Sequence, residues 1–389
     1  MKFTGMTIGV PTEIMPGEAR VAATPETVKK MIAEGAKVLV EKGAGVASFF
    51  MDEAYAEAGA ELVDGPTPIF EKADFIIKVK EPLFNEALKK HEAEMFRPGQ
   101  YFATFLHPAA PVNHEMTKML RDSGCISYTM DGIPRISRAQ AMDALTSMSC
   151  CAGYKAVLMA SNYLGKFLPM VGTAVGAIQP SKVLVIGTGV AGLQAVATAK
   201  RLGAIVTAVD IRPDAAEQAK SLGAKILDTG VPKELAVGEG GYAQRLPDEW
   251  LAKEIEVLRP VVKEHDVVIL SALIPGKIAP ILIDEDMVKG MAHGSAIVDI
   301  SIDQGGNCAL TDAGEVVEKH GVQIGGIKNI PGMLPTSSTW MYAHNIYNFI
   351  AFLCNEGKVS VDTSDQIIAS SLTTIDKKIV HAGAIDAGL

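Results

Sequence analysis

The sequence predicts an α/β fold, in which parallel β-sheets carry helices on both faces. Three observations predict this fold and its division into two domains. Short apolar strands alternate with helical stretches along nearly the whole chain. The chain has 389 residues, more than one ordinary domain core needs, so two domains are expected. A glycine-rich string, VLVIGTGVAGLQAVATAKRLGA, joins a strand to a helix in the second half.

The first half is a series of strands with helices between most of them. The predicted strands are Thr7–Val10, Lys37–Glu41, Phe75–Lys80, Phe102–His107 and Ile126–Met130. The predicted helices are Pro25–Glu34, Asp52–Gly59 and Asn113–Asp122. Ligands of such sheets bind beyond the carboxyl ends of the strands, so the polar residues that follow these strands are candidates for a site.

A second alternating series begins at Lys182. Its predicted elements are Lys182–Ile186, helix Ala191–Leu202, Ile205–Val209, Val267–Ser271, Ala296–Ile300 and Val322–Gly325. Two long helical patterns, about Ala141–Asn162 and Ser337–Cys354, lie between and after the two series. Such helices would carry the chain from one domain to the other and back. We therefore predict a discontinuous N-terminal domain, residues 1–143 and 337–389, and a second domain, residues 144–336.

Composition excludes several classes of protein. The net charge of −9 argues against a nucleic-acid partner, because phosphate binding needs a basic face. The five cysteines lack paired spacing, so we expect neither a disulfide framework nor a metal site, and a cytoplasmic location is favoured. The most apolar region, Val157–Ile178, is interrupted by Lys166 and Pro169 and falls short of a membrane span. We expect no signal peptide in MKFTGMTIGVPTE.

A dinucleotide fingerprint stands in the second domain. Gly187, Gly189 and Gly192 form G-x-G-x-x-G between an apolar strand and a helix, and Asp210 ends the next strand, 23 residues after Gly187. The glycines would allow the tight turn, the approach of the pyrophosphate and close helix packing, and Asp210 would bind the adenosine ribose. The alternative is a glycine-rich turn in another α/β domain. The acid favours NAD over NADP; Arg212 could soften that preference, although we expect it to be solvated.

Charged residues follow several other strands. Arg20 lies in the loop after the first strand, Lys80 and His107 end two further strands, and Asp303 follows a strand of the second domain. Arg20 and Lys80 could bind a carboxylate, and His107 could move a proton near neutral pH. For each residue alone, an ordinary surface or capping charge is the alternative. Their shared position at strand ends favours a functional role.

A polar loop, PRISRAQAMD, precedes the first long helical pattern. It carries Arg135, Gln140 and Asp143, a basic group, an amide and an acid. Together they could hold a polar ring that carries a carboxamide, such as nicotinamide. The alternative is a helix-initiating loop with solvated charges.

The whole chain resembles the family that joins alanine dehydrogenase with the NAD-binding component of proton-translocating transhydrogenase. PGEARVAATPETV, AGLQAVATAKRLGA and SALIPGKIAPILI carry the resemblance. It implies two Rossmann-like, doubly wound domains with parallel sheets, the first discontinuous, a cleft between them, bound NAD and at least a homodimer. The candidate cofactor set is completed by Val190, Ile211, Arg212, Ala272, Leu273 and Asn329.

Some strings resemble the transhydrogenase branch. PRISRAQAMDAL is similar to its nicotinamide loop, which carries over to Arg135, Gln140 and Asp143, and Thr146 stands where a serine is expected. GEGGYAQRL, with Tyr242, resembles its mobile loop, and GGNC is also similar. This branch implies hydride transfer to NADP(H) on a partner, with a membrane-embedded subunit that moves protons. The chain would then be peripheral on the cytoplasmic side of the inner membrane.

Other strings, KVKEP, FLHPAA and VDISIDQGG, resemble alanine dehydrogenase. In that branch the positions of Arg20 and Lys80 hold a keto-acid carboxylate, His107 acts as acid–base, and Asp303 assists at the reacting carbon. The second hypothesis is therefore a self-contained NAD-dependent L-amino-acid dehydrogenase of the alanine type, which reversibly deaminates its substrate to a 2-keto acid. Its oligomer would be a hexamer. A third is a non-catalytic NAD-sensing subunit. The long motifs favour the transhydrogenase component.

Overall fold

The computed structural model describes residues 1–238, 241, 243–274 and 278–389. It contains two compact units, one formed by Met1–Met148 and Gly332–Leu389, the other by Ser149–Pro331. The first unit is thus built from two separate stretches of chain.

The N-terminal stretch of the first unit alternates strands and helices. Its strands are β1 (Thr7–Val10), β2 (Lys37–Glu41), β3 (Glu61–Val63), β4 (Phe75–Ile77), β5 (Phe84–Asn85), β6 (Lys90–His91), β7 (Tyr101–Thr104) and β8 (Ile126–Thr129). Its helices are α1 (Pro25–Ala33), α2 (Asp52–Glu57), α3 (Thr67–Lys72) and α4 (His114–Ser123). A long helix, α5 (Ala144–Tyr163), follows.

The second unit repeats this alternation. Its strands are β9 (Val171–Thr173), β10 (Gly176–Ile178), β11 (Lys182–Ile186), β12 (Ile205–Val209), β13 (Lys225–Ile226), β14 (Val267–Leu270), β15 (Ala296–Asp299), β16 (Val316–Lys319) and β17 (Val322–Gly325). Its helices are α6 (Val190–Arg201), α7 (Pro213–Ser221), α8 (Lys233–Ala236), α9 (Asp248–Val262) and α10 (Glu285–Lys289).

The C-terminal stretch returns to the first unit. It contains α11 (Pro335–Leu353), β18 (Cys354–Asn355), β19 (Lys358–Val359), α12 (Gln366–Ser371), β20 (Leu372–Ile375), β21 (Lys378–Ile379) and α13 (Ala382–Asp386). Strands β20 and β21 pair antiparallel and extend the sheet of the first unit beside β8. The sequence pattern did not predict them.

The first unit's sheet has the order β21-β20-β8-β7-β4-β1-β2-β3, and its pairings from β8 to β3 are parallel. Two of its strands are shorter than predicted, since β4 ends at Ile77 and β7 at Thr104. Beyond Ile77, the backbone N–H groups of Val79 and Lys80 donate to the Glu13 carboxylate instead of to a neighbouring strand. The predicted strand therefore extends beyond Ile77, the last residue of β4 that pairs with neighbouring strands.

The second unit's sheet has the order β13-β12-β11-β14-β15-β17-β16, parallel except for the edge strand β16. This order reverses between β11 and β14, which is the switch point of a doubly wound fold. In β11, Val183 and Val185 face one hydrophobic core, and Leu184 and Ile186 face the other. Burial on both faces explains the continuous apolar runs of the sequence.

Local chemistry fixes where the two long helices begin. The Asp143 carboxylate accepts the backbone N–H of Thr146, so α5 begins at Ala144 and not at Ala141 as predicted. Helix α11 begins at Pro335, two residues before the predicted start, because proline suits the first helical position. Among the described helices, none combines the length and apolarity that a bilayer crossing requires.

Candidate functional site

The turn between β11 and α6 gives each glycine of the fingerprint a separate role. Gly187 has φ +86°, and a Cβ on it would lie 2.7 Å from the backbone N of Ala272. A Cβ on Gly192 would lie 1.8 Å from the carbonyl oxygen of Gly187. A Cβ on Gly189 would meet only Nη2 of Arg212, at 4.0 Å. The fold itself requires Gly187 and Gly192, whereas Gly189 keeps open the space that a pyrophosphate would fill.

Helix α6 begins at Val190, directly after this turn. Gly189 is its N-cap residue and has no side chain to cap the first N–H groups. Those groups and the helix dipole favour an anion at this end. The residues present therefore fit the diphosphate of a dinucleotide.

Asp210, at the end of β12, accepts hydrogen bonds on both carboxylate oxygens. One carboxylate oxygen, Oδ2, accepts the backbone N–H of Thr188 at 2.7 Å and Nη2 of Arg212 at 2.8 Å. The other, Oδ1, accepts Nε and the backbone N–H of Arg212, both at 2.9 Å. Arg212 was predicted to be solvated. That prediction is wrong, because the guanidinium of Arg212 donates to the carboxylate of Asp210. Ile211, between them, is half-buried.

A buried acid that the sequence analysis missed lies near this pair. Glu254, on α9, is almost entirely buried. Burial raises its pKa to about 7, and the charge of Asp210 adds to the shift. Glu254 falls in a helix with ordinary amphipathic spacing, so the sequence offered no means of singling it out.

The segment after β14 borders the glycine turn. Ser271 donates a hydrogen bond to the carbonyl oxygen of Gly187 at 2.8 Å. Buried Asn307 holds both backbone groups of Ala272, accepting its N–H at 3.0 Å and donating to its carbonyl at 2.9 Å. Asp299 in turn accepts the backbone N–H of Asn307 at 2.8 Å. Ala272 was predicted from the sequence, whereas Asn307 and Asp299, which hold it in position, were not.

The remaining candidates of the second unit are the cofactor residues Leu273, Asn329 and Tyr242 and the catalytic candidate Asp303. Leu273 is half-buried in the same segment as Ala272. Asn329 is half-buried and has φ +53°, a left-handed conformation that asparagine tolerates. Tyr242 lies outside the described residues. Asp303 is exposed, in a 3-10 helix that follows β15.

In the first unit, Arg20 is buried against Glu18. Its Nε and Nη2 donate to the two carboxylate oxygens at 2.8 and 2.6 Å, and Nη1 lies 2.9 Å from the sulfur of Met148. This bidentate pair neutralises the charge that was predicted to hold a substrate carboxylate. Arg20 would have to exchange partners before it could bind one.

Two lysines follow β4, and they have different environments. Lys78 is buried, with Nζ 2.6 Å from Glu92 and 3.8 Å from Glu13. Burial raises the pKa of Glu13 to about 7, although the charge of Lys78 opposes the shift. Lys80 is half-buried, and no described residue forms an ion pair with it. Lys78 is thus structural, and Lys80 is the lysine that remains for a ligand.

His107 follows β7 in a left-handed conformation, φ +45°, and its ring stacks on Phe105. Its Nδ1 lies 3.5 Å from Oδ2 of Asp131, which follows β8, the neighbouring strand. The carboxylate of Asp131 raises the pKa of His107, while the positive charge of Lys80 lowers it. The structure therefore brings His107 and Lys80 together with Asp131, a residue that the sequence analysis missed. Its position after a parallel strand was the available indication.

The loop before α5 combines exposed and fixed side chains. Arg135 and Gln140 are exposed. The Thr146 hydroxyl donates to Oδ2 of Asp143 at 2.6 Å, so the hydroxyl of the expected serine is retained. Asn345 on α11 donates to the carbonyl oxygen of Ala141 at 3.0 Å, which fastens the loop to its own unit.

The comparisons with known proteins cover both units. The family model for the alanine dehydrogenase/PNT N-terminal domain matches residues 9–152, and that for the C-terminal domain matches residues 156–382. The chain is 40% identical over 386 residues to an alpha-subunit protein of the NAD(P) transhydrogenase of Rhodospirillum rubrum, covering 98% of this chain and 100% of that protein. It is 33% identical over 394 residues to alanine dehydrogenase of Bacillus subtilis, covering 98% and 95%.

A solved structure agrees with the sequence relatives. The transhydrogenase from Sinorhizobium meliloti matches with a TM-score of 0.81 at 34% identity, over 97% of this chain and 99% of that one. The predicted family and the predicted α/β fold are confirmed. The chain belongs to the alanine dehydrogenase/PNT family of oxidoreductases.

Proposed function

We propose that this chain is the NAD(H)-binding component of a proton-translocating transhydrogenase. It would exchange hydride between NAD(H) on its second unit and NADP(H) on a partner subunit. One observation carries the choice of branch: identity is 40% along the full length of a transhydrogenase alpha-subunit protein, against 33% for an alanine dehydrogenase. The retained hydroxyl of Thr146, which orients Asp143, supports the same branch.

The residues that would hold the dinucleotide follow from the geometry of the second unit. Gly189 and the N-terminus of α6 would bind the pyrophosphate, and Asp210 the adenosine ribose. Ala272 and Leu273 would line the same site. The bound nicotinamide supplies the hydride chemistry, and the protein supplies binding and orientation.

We assign Arg135, Gln140 and Asp143 to orienting the nicotinamide. Direct hydride exchange requires ring alignment and no acid–base group, so a positioning loop is sufficient. The backbone N–H and the hydroxyl of Thr146 donate to the two oxygens of the Asp143 carboxylate, which fixes the orientation of this acceptor. Membrane-embedded and NADP-binding subunits would complete the enzyme, and they would hold the chain at the cytoplasmic side of the inner membrane.

Deuterium transfer tests this function. The chain is combined with transhydrogenase membrane and NADP-binding subunits, and the transfer of deuterium from C4-labelled NADH to NADP⁺ is followed by mass spectrometry. We expect transfer only when the partner subunits are present. Arg135→Ala should slow it at least about tenfold with a smaller effect on NADH affinity, because misplacement of a reacting group is costly. Arg138→Ala is the matched control, since Arg138 pairs with Asp365. Wild-type transfer by Arg135→Ala would remove the loop from the mechanism.

A second candidate function is favoured by one observation. His107, oriented by Asp131 beside Lys80, is a suitable acid–base group for a keto acid or amino acid. The purified chain is given NAD⁺ with a panel of L-amino acids and, separately, NADH with pyruvate and ammonium. We expect no turnover without partner subunits. Turnover that His107→Ala abolishes would make the chain a self-contained alanine-type dehydrogenase.

We also propose that the chain forms at least a homodimer. The antiparallel hairpin of β9 and β10 is exposed, and apolar side chains lie on it or beside it: Val175 is 99% exposed and Met170 is 64% exposed. Exposed apolar clusters of this kind mark interaction surfaces. Light scattering after gel filtration should give at least a dimer for the wild type. Val175→Asp combined with Ile178→Asp should weaken it; a wild-type monomer would contradict the proposal.

A further inference from the structure

The side-chain amide of Asn307 bonds to two separate positions of the chain that follows β14. Asn307 is completely buried. Its Nδ2 donates to the carbonyl oxygens of Ala272 at 2.9 Å and Pro280 at 2.8 Å. Its Oδ1 accepts the backbone N–H of Ala272 at 3.0 Å and the Ser301 hydroxyl at 2.7 Å. Both donors and both acceptor positions of the amide are therefore used, which neither an aliphatic side chain nor a carboxylate of this size could reproduce.

The backbone of Asn307 is fixed as well as its side chain. Its N–H donates to Oδ2 of Asp299 at 2.8 Å. Its carbonyl oxygen accepts the N–H groups of Leu282 at 2.8 Å and Ile283 at 3.0 Å. Asp299 is completely buried and is the last residue of β15. Because buried polar networks with satisfied members are rigid, Ala272 is held firmly to β15 through Asn307 and Asp299.

Ala272 lies beside the turn that would bind the pyrophosphate. A Cβ on Gly187 would lie 2.7 Å from the backbone N of Ala272, and Ser271 donates to the carbonyl oxygen of Gly187 at 2.8 Å. Strand β14 pairs with β11 on the side opposite β12, the strand that Asp210 follows. A dinucleotide lies across such a switch point. The segment after β14 would therefore face its nicotinamide half, and Asp210 its adenosine half.

We propose that Asn307 is a positioning residue for the nicotinamide half of the dinucleotide. It acts through Ala272, because its own polar side-chain atoms are all bonded within the protein. It holds the backbone of Ala272 in place before the cofactor binds, so that this segment loses no further conformational freedom on binding. This inference rests on the proposed function, in which Ala272 and Leu273 line the cofactor site.

The experiment compares the binding of NADH and of AMP by calorimetry in the wild type and in Asn307→Ala. The variant removes the hydrogen bonds that the amide makes with Ala272, Pro280 and Ser301. We expect the affinity for NADH to fall at least about tenfold, because Ala272 must then be ordered on binding. The affinity for AMP should stay within about twofold of the wild type, since AMP lacks the nicotinamide half and would bind on the side of Asp210. A purely structural role of Asn307 would weaken both probes alike.

Two further variants separate positioning from stability. Ser301→Ala removes one hydrogen bond to Oδ1 and leaves the amide in place, so it should weaken NADH binding about threefold and leave AMP binding unchanged. It replaces Asn307→Ala in the test if that variant does not fold. Val322→Ala is the control, because Val322 is buried in the core of the same unit, on β17. It should lower the urea midpoint of unfolding and leave both affinities unchanged.

Wild-type NADH affinity in a folded Asn307→Ala, or in Ser301→Ala where Asn307→Ala is unfolded, would overturn the inference. An equal loss of NADH and AMP affinity in the variant tested would also overturn it. If the wild type binds neither NADH nor AMP, the proposed function itself fails.

Discussion

The imidazole of His107 and the carboxylate of Asp131 connect the ends of two neighbouring parallel strands. Nδ1 of His107 lies 3.5 Å from Oδ2, and its backbone N–H donates to Oδ1 at 3.2 Å. The carboxylate raises the pKa of His107. Burial opposes the ionisation of Asp131, but the charge and hydrogen bonds of His107 outweigh burial and lower its pKa. Each group therefore stabilises the charged form of the other.

Asp131→Asn should lower the pKa of His107. The raised pKa of His107 means that its contribution to stability is full below the unfolded value of 6.5 and is lost as pH rises through the folded pKa. The contribution of Asp131 is present above 3.8 and is lost as pH falls through its lowered pKa. NMR titration of the His107 ring measures the shift. Asp303→Asn, which changes an exposed acid, is the control. A His107 pKa in Asp131→Asn equal to that of the wild type would contradict the pairing of His107 with Asp131.

Alanine substitutions at two glycines should separate stability from binding. Gly192→Ala should destabilise the second unit by about 1–3 kcal/mol or more, because its Cβ would lie 1.8 Å from the carbonyl oxygen of Gly187. Gly189→Ala should cost less than about 1 kcal/mol, since its φ is −68° and its Cβ meets open space. It should nevertheless weaken NADH binding. Urea unfolding and NADH titration measure the two effects, and unweakened binding in a folded Gly189→Ala would remove the pyrophosphate from this turn.

Lys78→Met should be strongly destabilising. It leaves Glu92 and Glu13 buried without their cation, and loss of one partner of a buried pair costs about 3–5 kcal/mol. The loss should be larger at pH 8 than at pH 5, because Glu13, whose pKa burial raises to about 7, can protonate at the lower pH. Lys89→Met removes an exposed pair with Glu86 and should change stability by less than about 1 kcal/mol. Equal effects of the two variants in urea unfolding would show that Lys78 has no special role in stability.

Glu254→Gln should flatten the dependence of stability on pH. The folded pKa of Glu254 is about 7 against 4.5 when unfolded, so its contribution is full below 4.5 and is lost as pH rises through 7. For one buried acid with this shift, the free energy of unfolding falls by on the order of 3 kcal/mol as pH rises. Urea unfolding at pH 5 and pH 8 measures it. A residual slope should remain from Glu13, which is shifted in the same direction; an unchanged slope in Glu254→Gln would refute the assignment.

Thr146 should act through its hydroxyl. Thr146→Val removes the 2.6 Å hydrogen bond to Asp143 Oδ2, while the backbone hydrogen bond to Oδ1 remains. We expect deuterium transfer to fall about tenfold with a stability loss of about 1 kcal/mol. Thr146→Ser keeps the hydroxyl and should transfer at nearly the wild-type rate. Equal rates in the valine and serine variants would show that the orientation of Asp143 is not limiting.

The bounds of an element were predicted correctly where neighbouring residues in the sequence determine them, and incorrectly where tertiary hydrogen bonds do. Strands β11, β12 and β17 have the predicted bounds because each is a short apolar run that is followed by glycine or a charged residue. The predicted strands ending at Lys80 and His107 were too long, because backbone donors there turn to the Glu13 carboxylate or to Asp131. The hairpin of β9 and β10 is so exposed that it leaves no burial pattern to find.

By itself, the sequence determined the fold class and the glycine turn, which depend on residue spacing along the chain, and the family, which its motif strings resemble. Tertiary structure alone decided the partners of the charged side chains. Arg212 was expected in solvent and is held by Asp210, and Arg20 was expected at a ligand and is held by Glu18. Asn307 and Glu254 became visible only there, because burial and pairing depend on which strand ends and helices are neighbours in space, and that adjacency is not encoded in local residue spacing.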